Sequence, residues 1–354
     1  MNVKRVLITG VAGMIGSHLL DYLIDKDYDI IGVDNLSFGK LENIKSRLGN
    51  ERFKFCRVDV RDLETLKILT RDVDIIVHLA AVKKIGESDS SMATLKVNVS
   101  GTENVFEAAR MWGCKVIFAS TSDVYGISPD IPFREDGDLL LGPSLIKRWS
   151  YAVSKLHCEQ MAFAYYQDYF VPVVILRYFG GFSPRSSFSW SGGHIPIFVD
   201  AILNDQEVVI HGDGNQTRTM AYVDDLVRGT FMAMESERAV GEIINLGNDE
   251  EMSVIDAARL IHRIAATGKE LKLKYVSMEE VFGKYKDIMR RVPDLTKAKN
   301  LLNYTPEISM EEAIRRMVDC RRMGNKNNGQ MTSCEEDKYL PGGVEISFPW
   351  PIKS

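Results

Sequence analysis

The sequence predicts an α/β protein: a doubly wound parallel sheet followed by a smaller C-terminal α+β lobe that binds substrate. Three observations predict it. The first segment reads strand, helix, strand; further apolar strands then alternate with helix-period segments; and after about residue 177 the texture changes to a Gly, Ser and Trp-rich stretch, "GGFSPRSSFSWSGG". The 354 residues, 45% of them hydrophobic, are enough to fill such an interior.

Taken in order, "KRVLIT" is a β-branched strand, "GVAGMIGSHLLDYLID" takes helical period, and "YDIIGVD" is again a strand. Lys4 and Arg5 ahead of an apolar run imitate a leader peptide, but Gly10, Gly13, Gly16 and Asp21 break the run into strand, turn and helix. Strands follow at "FKFCRVDV", "VDIIVHLAA", "CKVIFAST" and "PVVILRYF", with helices at about 92 to 112 and 150 to 169. The division expected is 1–176 for the sheet domain, 177–323 for most of the second lobe, and 324–354 for a polar, flexible tail. "GEIINLG" at 241–247 is a strand that returns to the main sheet.

Charge and cysteines narrow the classes. Net charge is -5 with acids and bases interleaved, so the basic stripe of a nucleic-acid binder is missing. No run approaches the roughly 20 apolar residues of a membrane span. Cys56, Cys114, Cys158, Cys320 and Cys334 show no metal or disulfide spacing, which fits a reducing, cytoplasmic location and no metal.

"TGVAGMIG" places Gly10, Gly13 and Gly16 between a strand and a helix, with Met14 and Ile15 inside the turn. Glycines there let the backbone approach a pyrophosphate seated on the helix N-terminus, the Rossmann-type arrangement; close strand-helix packing is the plainer reading of the same glycines. Asp34 turns the balance towards a dinucleotide. It ends the second strand, where a carboxylate bonds both ribose hydroxyls and repels a 2'-phosphate, so NAD is expected rather than NADP. Asn35 follows it. Asp59 and Val60 end the third strand, flanking an adenine or simply solvated.

"YAVSK" puts Tyr151 and Lys155 at i and i+4, on one face of a helix. An ammonium nearby would lower the phenol's pKa and make Tyr151 a general base; a surface Tyr-Lys pair has the same spacing.

The glycine turn, Asp34, "HLAA" with Leu79, Ala80 and Ala81, the hydroxyl run 120 to 122, and Tyr151-x-x-x-Lys155 together resemble the extended short-chain dehydrogenase/reductase family, the nucleotide-sugar epimerases, dehydratases and decarboxylases. The resemblance covers roughly residues 3 to 320, in the family's order up to "RRVPDLTKAKNLL". It implies tightly bound NAD that takes a hydride from a sugar carbon, usually C4, with Tyr151 as base, Lys155 holding the nicotinamide ribose and Thr121 bonding the reacting hydroxyl. It also nominates Arg218 in "GDGNQTR", Arg291 in "RRVPD" and Arg185 in "SPR" for the diphosphate, and a homodimer formed through the helices near 92–112 and 150–169. Arginine suits phosphate because its planar fork pairs with two oxygens, although a solvated surface arginine looks the same in sequence. Where the family has "FN", this chain has Phe179-Gly180, which removes an amide contact and frees space; Trp190, Gly192 and Gly193 reshape the same region.

The reaction turns on "STSDVYG". Asp123 stands where family dehydratases and decarboxylases carry glutamate, and Ser122 replaces the acid that 4,6-dehydratases place before it. Against a lyase, "AVKKIGES" and "LRYF" resemble the UDP-galactose 4-epimerases, whose matching lysine, here Lys83, contacts the cofactor. Asp123 is either a catalytic acid-base group or a structural acid capping a helix or pairing with a cation such as Arg148. The expected function is an NAD-dependent UDP-sugar 4-epimerase. The alternatives are a 4,6-dehydratase or UDP-glucuronate decarboxylase using Asp123 and, outside enzymes, an NAD-binding sensor; intact Thr121, Tyr151 and Lys155 speak against the sensor.

Overall fold

The computed structural model describes residues 3–83, 90–186, 193–282 and 288–327. Seven parallel strands form the main sheet in the order β11-β6-β5-β4-β1-β2-β3, from β1 (Arg5–Thr9), β2 (Asp29–Val33), β3 (Phe53–Cys56), β4 (Ile75–His78), β5 (Lys115–Thr121), β6 (Val173–Tyr178) and β11 (Glu242–Leu246). The order reverses direction between β1 and β4. In open parallel sheets that switch point, at the carboxyl ends of the strands, is where a crevice opens. The strand read at 241–247 does return to the sheet, with Ile243 opposite Ile175 and Leu246 opposite Tyr178.

Both faces of the sheet are covered, and its strands are largely apolar. Along β1, Val6 and Ile8 enter one core cluster with Leu19 and Leu23 of α1 (Met14–Ile24), while Leu7 enters the other with Leu66, Phe106 and Ala162. These last three belong to α2 (Leu63–Leu69), α4 (Gly101–Trp112) and α5 (Trp149–Tyr169). The single helix expected near 92–112 is three pieces in one run: α3 (Ser91–Leu95), a wide π turn over Lys96–Ser100, and α4. Gly113, at φ +72, ends it in the left-handed conformation that glycine adopts without steric cost.

The part of the chain beyond β6 adds, besides β11, the helices α6 (His194–Leu203), α7 (Val223–Glu235), α8 (Val254–Ala265), α9 (Met278–Phe282), α10 (Thr296–Leu302) and α11 (Met310–Asn327). Its strands are short: β7 (Gly181–Phe182) with β10 (Ala221–Tyr222), β8 (Val208–His211) with β13 (Leu273–Val276), and β9 (Thr217–Thr219) between β12 (Glu251–Ser253) and β14 (Arg290–Arg291). Because β9 and β14 run parallel with Arg218 opposite Arg291, two arginines distant in sequence become neighbours. α11 carries the helix to Asn327, past the point at which a tail was expected to begin; residues 328–354 lie outside the described residues, as do Trp190 and Gly192.

Candidate active site

The glycine turn makes the crevice possible. Gly10 has φ +71, and a Cβ there would stand 2.8 Å from the Ala80 backbone nitrogen; a Cβ on Gly16 would run into the Gly10 carbonyl oxygen. The loop after β1 can therefore lie directly on the loop after β4. α1 begins at Met14 with Gly13 as its N-cap and no side-chain cap, so its first N–H groups are available to an anion. Beside the turn, Asp34 is 8% exposed and accepts the Ala12 N–H at 3.0 Å and the Leu36 N–H at 2.8 Å. Burial pushes its carboxyl pKa up, and those two bonds oppose the shift. A pocket of about 120 Å³ opens here, lined by Gly10, Gly13, Asp34, Asn35, Val60, Leu79, Ala80 and Ala81, all expected from the sequence, and by Phe38.

Asp59 departs from expectation. β3 ends at Cys56, so Asp59 sits in the following loop, where it accepts from Arg61 Nε at 2.9 Å and Nη2 at 2.7 Å and from Asn35 Nδ2 at 3.0 Å. The Arg61 guanidinium holds its carboxyl well below the usual range. It braces Asn35, and Val60 lines the pocket in its stead.

A second cleft, about 280 Å³, continues from the first past Met14, Ile15 and Gly16 to Lys83, Ser120, Thr121, Ser122, Tyr151, Lys155, Gly180 and Arg291. The helical spacing of Tyr151 and Lys155 on α5 does bring both to the end of β5. Their electrostatics differ from the sequence reading. Burial and the Asp123 charge push the Tyr151 phenol up, against a hydrogen bond with Thr121. Lys155 does not lower it: its ammonium donates to the Ala119 carbonyl at 2.6 Å and lies 4.8 Å from the Phe118 ring centre. Burial brings the Lys155 pKa down to about 8. The cation over the Tyr151 ring is Lys83, 5.7 Å from its centre.

Asp123 is enclosed by cations. Its carboxylate lies 2.9 Å from Arg291 Nη1, 3.7 Å from Lys83 Nζ and 4.0 Å from Arg148 Nη1, and Thr121 Oγ1 accepts its backbone N–H at 3.2 Å. Burial alone would raise its pKa, but Arg291, Lys83, Arg148 and Arg218 outweigh burial and hold it far below the usual carboxylate range. Pairing with Arg148 was foreseen as the structural alternative; Arg291 and Lys83 complete it. Ser122 sits beside the same guanidinium, 3.5 Å from Arg291 Nη1. Of the three arginines nominated for a diphosphate, Arg218 and Arg291 come together on β9 and β14, whereas Arg185 turns away, its Nη2 donating to Asp21 on α1 at 2.7 Å. Asp21 also takes Arg47, so Arg185 ties the 183–186 turn to the cofactor helix. Gly180, at φ +35, has Met220 Sδ 2.7 Å from where a Cβ would stand, so the space freed by the missing amide is partly filled by that methionine.

The sequence reading missed a buried network under the cleft. Glu159, one turn beyond Lys155 on α5, accepts from Ser120 Oγ at 2.5 Å and from Arg177 Nε and Nη2 at 3.0 and 2.7 Å, joining α5 to β5 and β6. Spacing alone offered this signal, since 151, 155 and 159 share a helix face. His78 is held between Thr9 Oγ1 (2.7 Å) and Thr102 Oγ1 (3.0 Å), with burial bringing its pKa down to about 3. Asn98, in the π turn, accepts the Val82 N–H at 2.8 Å and donates to Ser154 at 3.0 Å, which sets the loop carrying Lys83 against α5.

Comparison with known proteins follows the same lines. A family model described as GDP-mannose 4,6 dehydratase matches residues 7–317. The UDP-N-acetyl-alpha-D-glucosaminuronate decarboxylase of Bacillus cytotoxicus is 36% identical over 317 residues, covering 89% of this chain and 97% of that protein. The UDP-glucuronate 4-epimerase of Thermodesulfobacterium geofontis is 32% identical over 330 residues, covering 88% and 94%. Among solved structures, the UDP-glucuronic acid 4-epimerase from Bacillus cereus in complex with UDP-glucuronic acid and NAD superposes with a TM-score of 0.81 at 31% identity, over 90% of this chain and 99% of that one. No helix among the described residues is long and apolar enough to cross a membrane.

Proposed function

The chain belongs to the GDP-mannose 4,6 dehydratase family, and on that premise we propose that it is an NAD-dependent UDP-sugar 4-epimerase whose sugar carries a C6 carboxylate. The glycine cradle, the uncapped start of α1 and the buried acid Asp34 fit NAD, with Asp34 at the adenosine ribose and Lys155 at the nicotinamide ribose. The chemistry supplied by NAD, when bound, is reversible hydride removal from C4 of the sugar. Tyr151 takes and returns the proton of the C4 hydroxyl, and Thr121 holds that hydroxyl in line. Since the phenol's pKa is raised here, ionising Tyr151 calls for the Lys155 ammonium to leave the Ala119 carbonyl and face the tyrosine. Arg218 and Arg291 bind the diphosphate.

The observation that carries the choice of reaction is the enclosure of Asp123. A carboxylate stabilised by Arg291, Lys83 and Arg148 is a weak base, poorly suited to taking the C5 proton in a dehydration. Lys83 lines the cleft 3.7 Å from that carboxylate, where a second carboxylate on the substrate can pair with it. A carboxylate held by cations is also slow to leave as carbon dioxide, because the stabilisation falls on the ground state. Decarboxylation is the second reading, supported by the 36% identity to a UDP-sugar decarboxylase.

The test is incubation of the NAD-loaded protein with UDP-glucuronate, UDP-N-acetylglucosaminuronate, UDP-glucose and UDP-N-acetylglucosamine, followed by proton NMR. A C4-inverted uronate is the expected product. A UDP-pentose with released carbon dioxide establishes the second reading, a C6 methyl group establishes dehydration, and no turnover overturns the catalytic assignment. We also propose a homodimer through α4 and α5, on which Met111, Trp112, Val153 and Tyr169 are exposed; light scattering on the eluting protein reads its mass directly.

A further inference from the structure

A polar row crosses the otherwise apolar sheet near the reacting end of the cleft. Ser120 on β5, Arg177 on β6 and Asn245 on β11 are register partners, so their side chains share one face of the sheet. Glu159 of α5 bonds the first two. Asn245, on the edge strand and 0% exposed, is bonded elsewhere. Its Oδ1 accepts the Tyr125 hydroxyl at 2.7 Å, and its Nδ2 donates to the Phe133 carbonyl at 2.9 Å and the Asp294 carbonyl at 3.3 Å. Its backbone N–H donates to Glu135 Oε1 at 2.7 Å. An uncharged amide offers an acceptor and two donors in one plane, and here both ends are engaged.

Each of these partners lies a short step from one half of the Asp123–Arg291 ion pair. Tyr125 closes the Ser122–Tyr125 turn, two residues after Asp123. Its ring stacks on Phe133 with centres 4.7 Å apart, and the Arg177 guanidinium lies 4.8 Å from its centre. Asp294 follows Arg291 by three residues. The chain between them is held by Phe133, whose N–H donates to the Val292 carbonyl at 2.8 Å and whose carbonyl accepts the Asp294 N–H at 2.9 Å. β14, which carries Arg291, is only two residues long, so these bonds add to a slight strand pairing. The path closes on itself: from Asp123 to Tyr125, through Asn245 to Phe133 and Asp294, and back along the chain to Arg291, 2.9 Å from the Asp123 carboxylate.

We propose that Asn245 is a positioning residue for the reaction: it ties the Ser122–Tyr125 turn to the 292–294 segment and so keeps Arg291 on the Asp123 carboxylate beside Tyr151. The inference rests on the reading of Tyr151 as the base of a nucleotide-sugar epimerase, and Asn245 acts only through the ion pair. The effect on catalysis runs through charge. Asp123 raises the Tyr151 phenol, and Arg291 is the foremost of the cations that offset Asp123, ahead of Lys83, Arg148 and Arg218. Thr121, by a hydrogen bond, and the Lys83 ammonium over the ring are the other groups facing the phenol, with Lys155 one turn along the same helix. When Arg291 slackens, the carboxylate acts on the phenol with less opposition, and Tyr151 ionises at higher pH.

The test uses the full-length, NAD-loaded protein with Asn245→Leu, which keeps the volume and removes the amide, and Tyr125→Phe, which keeps the ring on Phe133 and removes one bond. Each is made alone and together with Asp123→Asn. None of the Asn245 hydrogen bonds goes to Asp123 or Arg291, so thermal losses should add unless Asn245 acts on the pair. Asp123→Asn is expected to lose about half or more of its effect on melting temperature in the Asn245→Leu background. The ascending limb of kcat/KM should rise by about half a pH unit or more in Asn245→Leu and by less in Tyr125→Phe. That direction is opposite to the shift from Asp123→Asn alone, which each double variant should follow. A fraction of misfolded protein lowers the rate at every pH and leaves the limb in place. Additive melts, or an unmoved limb in an active variant, overturn the proposal. If Asn245→Leu does not fold, Tyr125→Phe decides by the same readings. If the wild type turns over no nucleotide sugar, the epimerase reading falls, and the melts decide for or against Asn245 as the tie on the ion pair.

Discussion

Replacing Asp123 by Asn keeps the shape of the side chain and removes its charge from among Arg291, Lys83 and Arg148. Arg148 and Asp123 have side chains only 4% and 6% exposed, and that of Arg291 is 14% exposed, so solvent cannot substitute for the lost carboxylate. Breaking one side of a buried ion pair costs about 3–5 kcal/mol. With an unfolding entropy of about 2.1 cal/mol/K per residue, a chain of this length should melt about 4–7 °C lower. The sign with pH follows from the depressed pKa. Asp123 contributes its full stabilisation above the ordinary carboxylate pKa and loses it as pH falls towards the folded-state value, so the gap between wild type and variant should narrow in acid. Catalytically, the Asp123 charge is one of the causes that raise the Tyr151 phenol, so its removal should move the ascending limb of the kcat/KM profile to lower pH while C4 epimerisation persists. Thermal melts from about pH 2 to pH 7 and a pH-rate profile with the best uronate substrate read both effects. An unchanged melting temperature would refute the ion cage as a stabilising element. Loss of turnover beyond a hundredfold in a variant that remains folded and NAD-bound would make Asp123 a catalytic group, contrary to the argument.

Three further outcomes are expected. Tyr151→Phe should lower turnover by a factor of about 10²–10⁴, the usual reach of a positioned acid-base group, and leave the NAD content of the purified protein unchanged; near-normal activity removes Tyr151 as the base. Gly10→Ala puts a methyl 2.8 Å from the Ala80 nitrogen at a φ of +71, so it should yield protein without bound NAD, measured by nucleotide released on denaturation. Asp34→Ala strips the acceptor from the Ala12 and Leu36 N–H groups, and NAD affinity should fall about tenfold or more while discrimination against NADP shrinks; unaltered discrimination would show that the acid does not meet the ribose.

What could be read from sequence was whatever lies close along the chain. The glycine turn, the i,i+4 pair Tyr151 and Lys155, and the hydroxyls ending β5 are local patterns whose geometry follows from strand and helix periods, and the structure sets them around one crevice. The returning strand β11 was legible because Ile243, Ile244 and Leu246 form a short apolar run between two glycines. Contacts made across the fold were not legible. Arg291 reaches Asp123 through the pairing of β14 with β9, and Arg185 donates to Asp21 on α1. The direction of the Tyr151 shift was misread for the same reason: helical spacing states that Lys155 is close, but not that its ammonium is committed to the Ala119 carbonyl. The π turn around Asn98 could not be seen either, since its residues carry ordinary helical period and the extra residue per turn is fixed by bonds to Val82 and Ser154.

The length of one side chain offers a last handle on the reaction. Asp123, whose backbone N–H donates to the Thr121 hydroxyl at 3.2 Å, holds its carboxylate 2.9 Å from Arg291, among its cations. Dehydratases and decarboxylases that Asp123 and its neighbours resemble have glutamate at this place, and one added methylene carries the carboxylate about 1.5 Å further. In Asp123→Glu the acid should leave part of its cage and enter the cleft beside Tyr151, where it is a stronger base and repels a substrate carboxylate that the cations had held. Both changes favour loss of carbon dioxide from a 4-keto uronate over return of the hydride. Incubated with UDP-glucuronate, the variant should give more UDP-pentose relative to C4-inverted uronate than the wild type does. A product ratio that stays fixed while total turnover falls would mean that the reaction is decided elsewhere in the cleft, and would leave the cage around Asp123 a matter of stability alone.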